Sequence, residues 1–130
     1  MAKIKILIVD DEPDFLELLA MRLEEWGYEA VKAANGKDGV SAVKAQCPDV
    51  VVLDYMLPDM DGVATLKQIR EVSAKVPVIM FTAYPSMDTI KEADGLGISA
   101  FIPKLSIYSE IMPSLKVAID MSVKKGAKKK

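Results

Sequence analysis

The sequence predicts an α/β domain in which five parallel strands form one doubly wound sheet. Three observations carry that expectation. Strand-like apolar runs alternate with amphipathic helical runs five times along the 130 residues. One of them, Val50-Val51-Val52-Leu53, is apolar at every position, as expected of a strand covered on both faces. Finally, the runs end in chemically useful side chains: Asp10 and Asp11, Asp54, Thr82 and Lys104. In a parallel sheet those ends open on the crevice where ligands bind.

The elements follow in order. Ile4–Val9 is the first strand, and Pro13–Trp26 follows as a helix with Phe15, Leu18, Leu19 and Leu23 inward and Gly27 as its stop. Tyr28–Ala33 alternates and suits an edge. Asn35-Gly36 opens a helix over Lys37–Ala45 with Val40 and Val43 inward, closed by Pro48 before the central strand Val50–Asp54. Gly62–Val72 places Val63, Leu66 and Ile69 on one face, and Pro77 introduces the fourth strand, Val78–Phe81, which delivers Thr82. Ser86 is the expected N-cap of a short helix with Met87, Ile90 and Ala93 inward, ending near Gly95 and Gly97. Ala100–Pro103 is the fifth strand. The last helix buries Ile111, Leu115, Ala118 and Ile119, with Pro113 in its first turns. Tyr108, Met112 and Lys116 read as its exposed residues.

Composition narrows the function classes. The chain is about half apolar, enough for a core without staples, and the expected organisation is one domain over residues 1–123 with a disordered lysine-rich tail, 124–130. The net charge of −2 conceals an acidic body: five lysines lie in the tail, leaving residues 1–123 at −7. Nucleic acid is a poor partner for such a surface, and a divalent cation a good one. There is no histidine, which excludes serine-histidine triads, histidine zinc sites and histidine phosphocarriers. Cys47 is the one cysteine, so no intramolecular disulfide can form, and with no spanning segment or signal layout the expected compartment is the cytoplasm.

If the strands are parallel neighbours, three carboxylates, a hydroxyl and an ammonium meet in one small volume. Asp10-Asp11 by itself reads first as a helix cap, a reading that Pro13 in the following turn favours. Yet one cap needs one side chain. Asp10, Asp11, Glu12 and Asp14, with Asp54 opposite, repel one another unless a hard cation neutralises them. Magnesium suits ligands limited to carboxylates and carbonyls. Asp54, ending the most buried strand, is the natural nucleophile for an acyl phosphate. Lys104 reads as a solvated lysine or as a cation aimed into the crevice, where it could pair with Asp54 or a phosphoryl oxygen. Thr82 is a strand-end residue or a hydroxyl donor to that phosphoryl group. Phe101 is a core aromatic or a ring that changes rotamer when Thr82 moves.

Four fragments in this order, Val9-Asp10-Asp11-Glu12, Leu53 to Gly62 with its Leu57-Pro58-Asp59-Met60-Asp61-Gly62 end, Phe81-Thr82-Ala83 and Phe101-Ile102-Pro103-Lys104, resemble the receiver domains of two-component response regulators. The resemblance covers residues 4 to about 123. It implies a flavodoxin-like sheet in the order 2-1-3-4-5 and a phosphoryl group passed to Asp54 from a phosphohistidine on a sensor kinase or phosphotransfer protein. It further implies Mg2+ held by Asp11, Asp54 and the Met56 carbonyl, with Asp10 assisting through water. Lys104 and Thr82 would contact the phosphoryl group, and Phe101 would remodel the face of the fourth helix, fifth strand and fifth helix. Such a domain is a signalling phosphoacceptor in a phosphorelay rather than an enzyme acting on other substrates. Two positions that tune acyl-phosphate hydrolysis in the family are Met56 and Tyr84 here, both bulky, which implies slow self-dephosphorylation. Proline usually follows the lysine in the family. Here Pro103 precedes it and Leu105 follows, so a cis Lys104-Leu105 bond would cost roughly 3 kcal/mol.

Two other classes stand beside this reading. One is a receiver-like binding module that signals without phosphorylation, against which the set Asp54, Thr82 and Lys104 argues. The other is a flavodoxin-type cofactor protein or hydrolase, whose phosphate loop would need hydroxyls, glycines and backbone donors where Asp10-Asp11-Glu12 stands. Output would pass to a docked protein target or to an output domain outside this sequence.

Overall fold

The computed structural model describes residues 3–83, 86–103 and 108–128, with residues 108–110 and 125–128 as backbone alone. Strands β1 (Lys5–Val9), β2 (Glu29–Ala33), β3 (Val50–Asp54), β4 (Val78–Thr82) and β5 (Ala100–Pro103) alternate with helices α1 (Pro13–Glu25), α2 (Gly36–Gln46), α3 (Gly62–Val72), α4 (Met87–Gly95) and α5 (Tyr108–Lys128). All strand pairs are parallel, in the order β2-β1-β3-β4-β5. The chain thus starts in the middle of the sheet, winds outward to β2, and returns to β3 on the other side of β1. That reversal leaves a crevice at the C-terminal ends of β1 and β3.

Side-chain alternation along each strand divides the core in two. Ile6, Ile8, Val50, Val52, Ile79 and Phe81 face α1 and α5, where they meet Phe15, Leu19, Leu23, Leu115 and Ile119. Leu7, Val9, Val51, Leu53, Val78 and Met80 face the other side and meet Val43, Leu66, Ile69 and Ala93 of α2, α3 and α4. Every residue of β3 and β4 is buried, which is why their sequences show no alternation. β2, at the edge, does alternate in part, with Glu29 and Lys32 exposed.

Ser86 caps α4 as expected, its hydroxyl accepting from the Thr89 N–H at 3.1 Å. The other end of α4 is tied by Arg70 of α3, whose guanidinium donates to the carbonyls of Leu96 (2.7 Å), Gly97 (3.0 Å) and Val76 (2.7 Å).

The backbone of helix α5 runs to Lys128. Lysine and alanine are good helix formers, and extending a helix already anchored by Leu115 and Ile119 adds a hydrogen bond for each residue fixed. Two expectations need correction: Met112, read as exposed, is buried in the α1/α5 half of the core, and Met87, read as inward, is exposed at the first turn of α4. Leu16 joins Phe15, Leu19 and Leu23 on the buried face of α1, and Leu18 packs against the same core while partly exposed. The side chain of Tyr108 lies outside the described residues.

Away from the crevice, a polar chain joins the connection between α1 and β2 to α5. Tyr28 donates to one oxygen of Asp120, Lys116 donates to the other at 2.7 Å, and the Lys116 ammonium lies 5.7 Å from the centre of the Trp26 ring. Partial burial, and then the Asp120 carboxylate, push the Tyr28 phenol up to about 12. A raised phenol favours the fold fully below pH ~10, the usual tyrosine value, and the benefit is lost as pH climbs to about 12. Ultraviolet titration should therefore show a tyrosine that ionises late in the folded chain, absent from Tyr28→Phe. The variant's stability should fall less steeply than the parent's over the same alkaline window.

Candidate functional site

The site starts from strand register. Val9 pairs with Leu53, so the next residues, Asp10 and Asp54, leave the sheet side by side. Asp10 is held at the strand end by its N–H, which donates to the Ala33 carbonyl at 3.1 Å. Asp10 is fully buried and Asp54 is 4% exposed, whereas Asp11 is exposed. One carboxylate oxygen from each of the three lies within 4.8 Å of the other two. Anions this close, two of them out of water, raise one another's energy unless positive charge is present. The donor set is entirely oxygen, and Cys47 sits at the far end of α2. Those ligands fit a hard divalent cation that keeps part of its water shell, as Mg2+ does.

Asp10 also serves the turn into α1, its Oδ1 accepting from the Glu12 N–H at 2.8 Å. Glu12, the N-cap residue, makes no side-chain cap of its own. The helix-cap reading of Asp10 gives way to a turn: its carboxylate holds the N–H of the residue before α1, not one of the helix itself, and it also belongs to the acidic cluster.

Across the crevice, Asp54 pairs in register with Phe81, which places Thr82 one residue further along the neighbouring strand. Thr82 is fully buried and pairs with Pro103 at the end of β5. Phe101 pairs with Met80 and is half-buried on the α4 side of the sheet. Strand alternation gives Thr82 and Phe101 that same side. Lys104, with the Lys104-Leu105 peptide, and Tyr84 lie outside the described residues.

The loop after β3 carries Met56, whose N–H donates to Asp54 Oδ1 at 3.2 Å and whose side chain is 50% exposed. The loop closes on itself where Gly62 N–H donates to the Tyr55 carbonyl at 2.6 Å. Asp61 then caps α3, its Oδ1 accepting from Ala64 N–H at 2.7 Å. Sequence reasoning places Asp59, Asp61 and Gly62 in a motif without giving them work. An aspartate before a periodic apolar run is a readable cap signal for Asp61; nothing local reveals the close approach at Gly62.

The response regulator receiver domain model matches residues 6–116. The chain belongs to the response-regulator receiver family. Sporulation initiation phosphotransferase F of Bacillus subtilis (strain 168) is 37% identical to this receiver over 112 residues, 86% of this chain and 90% of that protein. A CheY-like response regulator receiver domain protein from Methanospirillum hungatei JF-1 superposes with a TM-score of 0.83 at 28% identity, covering 96% of this chain and 99% of the other. The CheX-CheY-BeF3-Mg2+ complex from Borrelia burgdorferi contains a chain similar at a TM-score of 0.80 and 26% identity, with 91% and 90% covered. The receiver also matches a transcriptional regulatory protein of Salmonella typhimurium, 32% identical over 125 residues, of which it spans only 28%. Among the described residues no helix is long and apolar enough to cross a membrane.

Proposed function

We propose that this receiver is a Mg2+-dependent phosphoacceptor that takes a phosphoryl group onto Asp54 from a phosphohistidine of a sensor kinase or phosphotransfer protein. The observation that carries the reading is the meeting of Asp10, Asp11 and Asp54 within 4.8 Å at the end of a fully buried strand. In the transfer, an Asp54 oxygen forms a P–O bond while the donor's P–N bond breaks, and the imidazole leaves with the electron pair. Asp11, Asp54 and the Met56 carbonyl would hold Mg2+, with Asp10 acting through water, and the ion would supply positive charge against the phosphoryl oxygens. The Thr82 hydroxyl and the Lys104 ammonium hold the transferred group, and Phe101, beside α4, reports it to the face made by α4, β5 and α5. The name of the Borrelia complex, with BeF3 and Mg2+, supports this chemistry for a similar fold. Output then passes to a protein target or a linked output domain in the cytoplasm, without nucleic-acid or membrane contact by the receiver itself.

The test is incubation with Mg2+ and a small acyl-phosphate donor, followed by intact mass measurement. One added phosphoryl mass, lost when the metal is chelated, is expected; an unchanged mass would leave the phosphorylation-independent binding module as the better reading. Met56, half-exposed beside Asp54, gives attacking water no base or amide to orient it. Met56→Asn should shorten the lifetime of the phosphorylated chain several-fold, as followed by mass after donor removal, and an equal lifetime would remove Met56 from the control of hydrolysis.

A further inference from the structure

We infer that Asp59 is a positioning residue for the metal site: its carboxylate pins the loop after β3 to the first turn of α2 and thereby sets the Met56 backbone for the cation. The inference rests on the metal site proposed above. A helix begins with N–H groups that have no partner inside it. In α2 those inside the helix are Gly36, Lys37 and Asp38. Asn35, the N-cap, satisfies only the last, accepting from Asp38 N–H at 2.7 Å. Asp59 takes the other two, Oδ1 from Gly36 and Oδ2 from Lys37, at 2.8 Å each.

This is a long-range cap with a second effect. Asp59 is exposed, so packing does not hold its side chain; the two N–H groups do. They also hold its carboxyl below the ordinary carboxylate range, so the clamp stays charged. Next to it, Gly36 lies so close that a Cβ there would come within 2.5 Å of Met60 Cγ and 2.7 Å of Thr65 Oγ1. The start of α2, the loop and the first turn of α3 are therefore one packed unit. The loop's root is fixed by Tyr55 N–H on the Phe81 carbonyl at 3.0 Å, and its exit by the Asp61 cap. Asp59 fixes the stretch between them, three residues after Met56. Groups that orient ligands without touching the ion change metal affinity about 10- to 100-fold when removed.

A role confined to capping α2 makes a different prediction, which allows a direct test. Mg2+ is titrated calorimetrically into the parent, Asp59→Ala, Asp59→Asn, Asn35→Ala and Asp38→Asn, each with its thermal melting midpoint. Asp59→Ala should weaken Mg2+ binding about 10-fold, with Asp59→Asn, which keeps one acceptor, in between. Asn35→Ala should lower the midpoint comparably without changing the affinity, since it uncaps α2 but leaves the loop pinned. Asp38→Asn removes a negative charge from the same helix end and should also leave the affinity unchanged. Parent-like binding by both Asp59 variants overturns the inference, and so does an equal weakening in Asn35→Ala or Asp38→Asn. A parent that binds no Mg2+ overturns the metal site itself, and the inference with it.

Discussion

Asp54→Asn is expected to fold as the parent does and to take up no phosphoryl group from an acyl-phosphate donor. The side chain is 4% exposed at the end of a strand whose five residues are all buried, so an isosteric amide fits the same space. Its retained Oδ1 can still accept from Met56 N–H, the contact seen at 3.2 Å. What disappears is the anionic nucleophile: a carboxamide has no oxygen able to form a stable P–O ester. Other acids crowd the crevice, Asp10 and Asp11 among them, and Asp11 is more exposed than Asp54. The variant therefore decides which acid accepts. Intact mass measurement should fall from one added phosphoryl to none, and retained uptake would move the acceptor to a neighbour.

Gly62→Ala should lower stability by about 3 kcal/mol, at the upper end for forcing an extra carbon into a packed site. A Cβ on Gly62 would lie 2.6 Å from the Tyr55 Cα and 3.0 Å from the Asp54 carbonyl oxygen. Both obstacles are backbone, and neither can rotate away. The 2.6 Å hydrogen bond from Gly62 N–H to the Tyr55 carbonyl draws the two segments together at the same place. Relief requires moving either the root of α3 or the end of β3, so phosphoryl uptake should fall with stability. Urea unfolding measures the effect, with an unchanged slope showing that the native state rather than the unfolded one is altered. Gly95, where an added Cβ would meet nothing within 4 Å, is the control. Gly95→Ala should be neutral or stabilise the chain by about 0.5 kcal/mol.

The features legible in the sequence were those that repeat or punctuate. Val50–Leu53 announced a doubly covered strand because burial on both faces removes polar residues altogether, and Ser86 announced a cap because its hydroxyl competes for helix N–H groups. Asp10, Asp11 and Asp54 were readable together because their repulsion asks for an explanation that one helix cap does not supply. Other features depend on neighbours that primary order hides. Nothing around Arg70 in primary order marks the carbonyls of Val76, Leu96 and Gly97 that its guanidinium reaches. Met112 looked exposed because the spacing chosen for α5 gave it a narrower buried stripe than the packed helix has. Asp59 was hidden for the same reason as Gly62: its partners are backbone groups of a different element.

The arrangement of the sheet also governs how the chain behaves when concentrated. Its stickiest segments, β1, β3 and β4, are interior strands, while one margin is β2, with charged Glu29 and Lys32 turned to water, and the other is the four-residue β5 closing on Pro103. Charge, brevity and a terminal imino acid each discourage a foreign strand from adding on. Self-association through strand addition therefore has to wait until the molecule opens, and the valine-rich centre becomes an aggregation seed only in chains that have already lost their helical cover.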